Sequence, residues 1–305
     1  MENWFEEIRK DRENSAKTFA KTSIKGIQDI ITDKYSEKAH FILELIQNAD
    51  DVKATTISFI LNDDRLEFSH NGTEAFTLSN PNSANEKKDK ERGSLGHINA
   101  ITSIGSSNKT KDERIGKFGI GFKSVFSYTE TPHIFDSEFQ FKIQDYIVPI
   151  ELTDKRKIKK NHTEFWFPFN KEDLKPKQAY KEILSKLKNL KETLLFLNHI
   201  KKISWSAKRD SGEQSFRIIS RENHLNTIVD YISYKRKINN STESNLYYKF
   251  SKKIIGKENL YDSVAFLYDK HKRIILPKKR NAFCFFETKH ETYLNFLINS
   301  PFELI

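Results

Sequence analysis

His40-Phe41-Ile42-Leu43-Glu44-Leu45-Ile46-Gln47-Asn48-Ala49-Asp50-Asp51 is the stretch around which the rest of the chain is read. Phe41, Ile42, Leu45, Ile46 and Ala49 recur at helical spacing. Glu44, Asn48 and Asp51 fall at i, i+4 and i+7, so they share one face of that helix. An acid, an amide and a second acid suit a face that orients water and holds a hard cation. Mg²⁺ takes oxygen ligands and keeps several of its waters, so one side-chain oxygen plus phosphate oxygens is a normal complement. A carboxylate one turn away can take a proton from an attacking water. Taken alone, Glu-x-x-x-Asn-x-x-Asp is more often a solvated polar face; a glycine loop further along shifts that balance.

Working outward, Trp4 to Asp33 is mostly helix-compatible, and the glutamate helix is expected over 35–52. Residues 55–61 read as a strand, Asn62-Asp63-Asp64 as a turn, and 65–70 as the hairpin partner, ending in His70-Asn71-Gly72. The chain has ten glycines, and seven of them (72, 93, 96, 105, 116, 119, 121) fall between Asn71 and Gly121. That clustering marks backbone that bends sharply or lies close to a ligand. Within it, Asn80 to Arg92 reads as a solvated charged loop, and Leu95, Ile98, Ile101 and Ile104 mark a short apolar piece suited to a mobile lid.

Arg114-Ile115-Gly116-Lys117-Phe118-Gly119-Ile120-Gly121-Phe122-Lys123-Ser124-Val125-Phe126 is the second signal. A glycine-rich turn opens a helix near Gly121, where exposed N–H groups and the helix dipole form an anion site. The spacing is neither a Walker loop nor a Rossmann fingerprint. Its structural alternative is a helix start packed closely on a sheet.

Strands are expected again at 133–135, 139–143, 147–150 and 163–167, with the basic run Lys155–Lys160 in a solvated turn. A long amphipathic helix is expected over 171–198, closing a first domain of residues 1–198. Residues 199–305 then read as a second domain of strands with basic turns. The chain stops at Ser300-Pro301-Phe302-Glu303-Leu304-Ile305 without a closing element and reads as the front of a longer protein.

Composition sets the outer limits. The 305 residues are 37% hydrophobic and 31% charged, with no apolar run of membrane-spanning length and no secretory leader at the N-terminus. A single cysteine, Cys284, excludes an internal disulfide framework and reads as a small buried apolar residue; a reducing, cytoplasmic setting is expected. The net charge of +10 permits attraction to polyanions.

The order of these parts resembles the GHKL ATPase superfamily (gyrase, heat-shock chaperone, histidine kinase, MutL). Glu44-Leu45-Ile46-Gln47-Asn48-Ala49-Asp50-Asp51 and Ile115-Gly116-Lys117-Phe118-Gly119-Ile120-Gly121-Phe122-Lys123-Ser124-Val125-Phe126 are most similar to its sacsin branch. The resemblance covers residues 35–170. It implies an α+β fold: a GHKL-type α/β sandwich with a mostly antiparallel sheet covered by helices. A lid spans about 80–115, and the start of a transducer-like domain follows. It implies ATP and Mg²⁺ as ligands, with Glu44 as general base, Asn48 on the metal and Asp51 holding water near them. Gly116, Gly119, Gly121 and Phe122 would offer N–H groups to the phosphates, and Lys109 would be a lid cation. Thr163 matches a hydroxyl placed on a late strand beneath the base, although His162 stands where glycine is usual. Most of the superfamily has aspartate-x-glycine where this chain has His70-Asn71-Gly72, and that aspartate accepts from the adenine amine. A neutral imidazole accepts in one tautomer and donates in the other, which leaves the base preference open. Phe76 reads either as packing on the purine or as core.

Three functions follow. One is slow, Mg²⁺-dependent ATP hydrolysis driving lid closure or homodimerisation in a larger sacsin-like, chaperone-like protein. Another is a nucleotide-gated binding module without turnover, engaging nucleic acid in a bacterial defence system. The third is a basic nucleic-acid-binding module using Lys155–Lys160, Lys235-Arg236-Lys237 and Lys278-Lys279-Arg280. None places the chain in a membrane.

Overall fold

Alternation builds the first hairpin. In β2 (Arg65–His70) Leu66, Phe68 and His70 are buried and the residues between them are not, so one face seeks a core. β1 (Thr56–Leu61) pairs with it antiparallel, from Ile57 opposite His70 to Leu61 opposite Leu66. This computed structural model describes residues 3–18, 39–103, 121–256, 260–276 and 280–301. The chain divides into two compact units, Met1–Leu187 and Lys188–Ile305; the sequence reading puts the boundary at 198.

In the first unit, β3 (His133–Phe135), β4 (Gln140–Gln144), β5 (Val148–Glu151) and β6 (Thr163–Pro168) join the hairpin in one antiparallel sheet. Its order is β1-β2-β6-β3-β4-β5. Helices α1 (Trp4–Thr18), α2 (Phe41–Asp51), α3 (Ser83–Glu91), α4 (His97–Ile101) and α5 (Pro176–Asn189) accompany it, together with a 3-10 helix at Gly121–Ser127. The apolar face of β6 is the hub of the core. Phe165 and Phe167 lie within aromatic-pair distance of Phe122, Phe167 touches Phe41, and Phe165 touches Phe76. Phe76 is thereby placed in an aromatic cluster with Phe141 and His97 as well.

Three expectations are corrected here. The charged run read as a loop at 80–92 contains α3, capped by Asn82, whose Oδ1 accepts from the Ala84 N–H at 3.0 Å. Its Glu86 carboxylate takes hydrogen bonds from Arg12 (2.8 Å) and Asn99 (2.7 Å), which ties the helix to α1 and α4. The helix expected over 171–198 is shorter: Pro176 opens it, a favoured first-turn residue, and it ends at Asn189. Glu192 then sits at a left-handed φ of +53° before a short 3-10 turn, Thr193–Leu195. The helix expected to open at Gly121 is a 3-10 helix; the Ser124 hydroxyl donates back to the Gly121 carbonyl at 2.6 Å.

The second unit is a meander of long strands: β7 (Lys202–Ser206), β8 (Ser211–His224), β9 (Thr227–Ile238), β10 (Ser241–Lys253) and β11 (Tyr261–Tyr268). β12 (Asn281–Cys284), β13 (Phe286–Glu291) and β14 (Leu297–Asn299) complete it in the order β7-β8-β9-β10-β11-β14-β12-β13. Neighbours are antiparallel except β12 and β14. The single strand expected near Ala282–Phe286 breaks at Phe285, whose φ is +63° and whose N–H donates to Asn299 Oδ1 at 2.7 Å. Cys284 beside it is half-buried. Beneath the meander, Glu192 is held by Tyr247 (2.6 Å) and Arg280 (3.2 Å), with Tyr234 and Gln214 completing the network. Among the described residues no helix is long and apolar enough to cross a membrane.

Candidate functional site

Helix α2 is buried almost all round. Of its eleven residues, only Glu44, Asn48 and Asp51 are not buried, so the expected polar row is the one stripe of this helix that meets anything other than core. Gln47 and Asp50, which the sequence pattern leaves on a polar flank, are buried as well.

The Glu44 carboxylate does not point into bulk solvent. Its side chain is 18% exposed, and His40 Nε2 lies 3.7 Å from Oε1, one turn earlier on the same helix face. On the other side it lies against Gly121. A methyl group on Gly121 would sit 2.1 Å from Glu44 Oε2 and 3.0 Å from its Cδ. Only a residue without a side chain allows the backbone this close to the carboxylate. α2 and the 3-10 helix thus bring the glutamate and the end of the glycine-rich segment together, far apart as they are in sequence. Gly116, Gly119 and Lys109 lie outside the described residues.

The other half of the site is built at the end of β2. His70 is 8% exposed, and its Nδ1 accepts from the Gly72 N–H at 3.1 Å. Burial, with the nearby charge of His162 adding to it, pulls its pKa down to about 4. Gly72 is packed against the end of α2: a methyl there would meet Val52 Cγ2 at 2.6 Å and the Val52 carbonyl at 3.1 Å. Asn71 is structural; its Oδ1 accepts from the N–H groups of Thr55 and Thr56, both at 2.9 Å. Thr163 stands directly across from His70 in the β2–β6 register and is buried. Its hydroxyl donates to Asp136 Oδ2 at 3.3 Å.

Phe165 connects the two halves. Its ring centroid is 6.1 Å from that of Phe122, 5.9 Å from the His70 ring and 6.3 Å from Phe76. The structure therefore gathers Glu44, Gly121, Phe122, His70, Gly72 and Thr163 about one aromatic cluster, with Asn48 and Asp51 on the adjoining stripe of α2.

Three participants were not singled out from sequence. His40 is legible in hindsight as the i−4 neighbour of Glu44 on a helix. Asp136 is not: it follows a three-residue strand and meets Thr163 only through the β3–β6 pairing. Lys123 is buried, and its ammonium donates to the carbonyls of Ile101 (2.6 Å) and Tyr146. Burial lowers its pKa to about 7. Nothing in Phe122-Lys123-Ser124 marks that lysine as interior.

The basic stretches read as phosphate contacts are partly engaged within the protein. Arg156 lies over Trp166 at 4.3 Å and bonds Glu164 at 3.1 Å, and Lys155 pairs with Glu151 at 2.8 Å. Arg236 donates to the carbonyls of Lys188 (2.6 Å) and Leu190 (3.2 Å), and Arg280 is turned to Glu192. Lys278 and Lys279 lie outside the described residues.

Among the described residues no group of three or more His, Cys, Asp or Glu side chains forms a metal cluster. A cation here would rest on an amide oxygen and a ligand's own oxygens. Asn48 fits that donor set: it is partly exposed and one turn from Glu44.

Residues 21–164, which contain every site residue from Glu44 to Thr163, match the family model described as Sacsin domain. Over 137 residues the chain is 34% identical to Protein NO VEIN of Arabidopsis thaliana, covering 41% of this chain and 4% of that protein. Over 111 residues it is 32% identical to Sacsin of Homo sapiens, covering 36% of this chain and 2% of that protein. The chain thus spans only a small fraction of the length of these relatives, and the similarity lies in its first unit.

Proposed function

We propose that the unit Met1–Leu187 is a GHKL-type nucleotide-binding module that holds ATP with Mg²⁺ and hydrolyses it slowly. The α/β sandwich and the transducer role of the second unit are part of the same proposal. The observation that carries it is the approach of Gly121 to Glu44, at a distance only glycine permits, on the partly exposed stripe of α2. The sacsin-domain match over the same residues supports it.

On this reading Asn48 ligates the metal, which when bound would neutralise phosphate charge and orient the terminal phosphoryl group. Glu44 takes the proton of the attacking water. His40 steadies its carboxylate from one side, and the Gly121 backbone limits its rotamers from the other. The backbone from Gly121 to Phe122 faces the phosphates, while His70, Gly72 and Thr163 line the base end. Cytoplasmic, chaperone-like work in a larger sacsin-like protein is the setting we propose.

Calorimetric titration of ATP, ADP and GTP, with and without Mg²⁺, on wild type and Asn48→Ala tests the binding half. Asn48→Ala should remove the Mg²⁺ dependence of ATP affinity. Glu44→Ala should bind ATP and lose turnover by about 10²–10⁴-fold. Turnover that survives Glu44→Ala removes the glutamate from its role. ATP binding by wild type with no single-turnover phosphate release would favour a nucleotide-gated binding module instead.

A further inference from the structure

What His70 can offer a ligand is limited by the hydrogen bond it already makes. The Gly72 N–H points at Nδ1, so that nitrogen must present a lone pair. A neutral ring then carries its one proton on Nε2. The ring is enclosed between Phe68 (5.8 Å) and Phe165 (5.9 Å), and burial opposes a second proton. The donor that sets this tautomer is itself wedged in place, because Gly72 has no room for even a methyl group against Val52. No described residue accepts a hydrogen bond from Nε2, although the residue is more than nine-tenths buried.

We propose, resting on the nucleotide-binding reading above, that His70 presents a fixed hydrogen-bond donor to the base, so that the site prefers a 6-oxopurine nucleotide to a 6-aminopurine one. The resemblance sets position 70, elsewhere a carboxylate, against the exocyclic 6-substituent of the purine. A carboxylate there complements an amine. A locked N–H complements a carbonyl oxygen and would confront the amine of adenine with a second donor. Guanine and hypoxanthine both carry the required oxygen; hypoxanthine differs from adenine at that edge without adding a 2-amino group, so it isolates the effect.

The test is equilibrium binding of ATP, ITP and GTP in the presence of Mg²⁺ to the full chain and to His70→Asp. Wild type should bind ITP at least about tenfold more tightly than ATP, the scale of one mismatched buried hydrogen bond, and His70→Asp should reverse that ranking. ATP binding as tightly as ITP in wild type overturns the proposal and leaves the nucleotide-binding reading standing. Failure of all three to bind overturns both. Because the wild-type ranking decides without the variant, a poorly folding His70→Asp does not rescue the idea. Ring ¹⁵N shifts of His70 give a readout independent of nucleotide: the Nε2–H pattern is expected, and an Nδ1–H pattern overturns the proposal.

Discussion

Gly121→Ala is the sharpest probe of the site. The new methyl carbon would lie 2.1 Å from Glu44 Oε2 and 3.0 Å from Cδ, with the next contact, Cγ, at 3.8 Å. The strain therefore falls on the end of a flexible side chain, not on the backbone. To reach an ordinary contact the carboxylate must retreat by about 1 Å, a displacement that in a catalytic array costs on the order of 10²-fold in rate. The fold should tolerate the change better: moving one side chain off its preferred rotamer costs about 0.5–1.5 kcal/mol. Steady-state phosphate release with ATP, together with a urea midpoint, separates the two effects. The cycle with Glu44→Ala adds a stricter condition, because Gly121→Ala acts through the glutamate and should cost nothing further once Glu44 is gone. Full turnover in Gly121→Ala, or losses that simply multiply in the double variant, would refute the reasoning.

Two further outcomes follow from the base end of the site. Thr163→Val keeps the shape but removes the donor to Asp136 Oδ2, both groups being buried; it should lower unfolding free energy by about 1–3 kcal/mol, read from a denaturant midpoint, and an unchanged midpoint would show that the bond contributes nothing net. His70 is held near 4 by burial against an ordinary value of 6.5, so the unfolded chain binds the extra proton first. Its contribution to stability is fully present above the ordinary value and is lost as pH falls toward 4, roughly 3 kcal/mol in all. Protonation would also set a ring N–H against the Gly72 N–H. A His70→Gln variant should lose less stability than wild type between about pH 6.5 and 4.5; parallel urea profiles would refute this.

The helix that carries the site was legible because its information is local. Phe41, Ile42, Leu45, Ile46 and Ala49 repeat with the period of the helix, and so do Glu44, Asn48 and Asp51. The hairpin ending in His70 was legible for the same reason, with strict alternation on both sides of an Asn-Asp-Asp turn. The charged helix at Ser83–Glu91 was not, because a run such as Asn85-Glu86-Lys87-Lys88 reads equally as coil. Contacts from Glu86 to Arg12 and Asn99, distant in sequence, hold it. The long strands of the second unit likewise outrun their apolar centres, since ladder hydrogen bonds to a neighbouring strand extend order into polar residues such as Ser220–His224.

By itself, the sequence determined which side chains could share a face and where the backbone needed freedom, since periodicity and glycine content act over a few neighbouring residues. Only the tertiary structure decided that Gly121 lies against Glu44, that Asp136 takes the hydroxyl of Thr163, that Lys123 is interior, and which nitrogen of His70 is left to face a ligand. Each of these depends on the distance between atoms brought together by strand register and core packing, and no local pattern of residues encodes that distance.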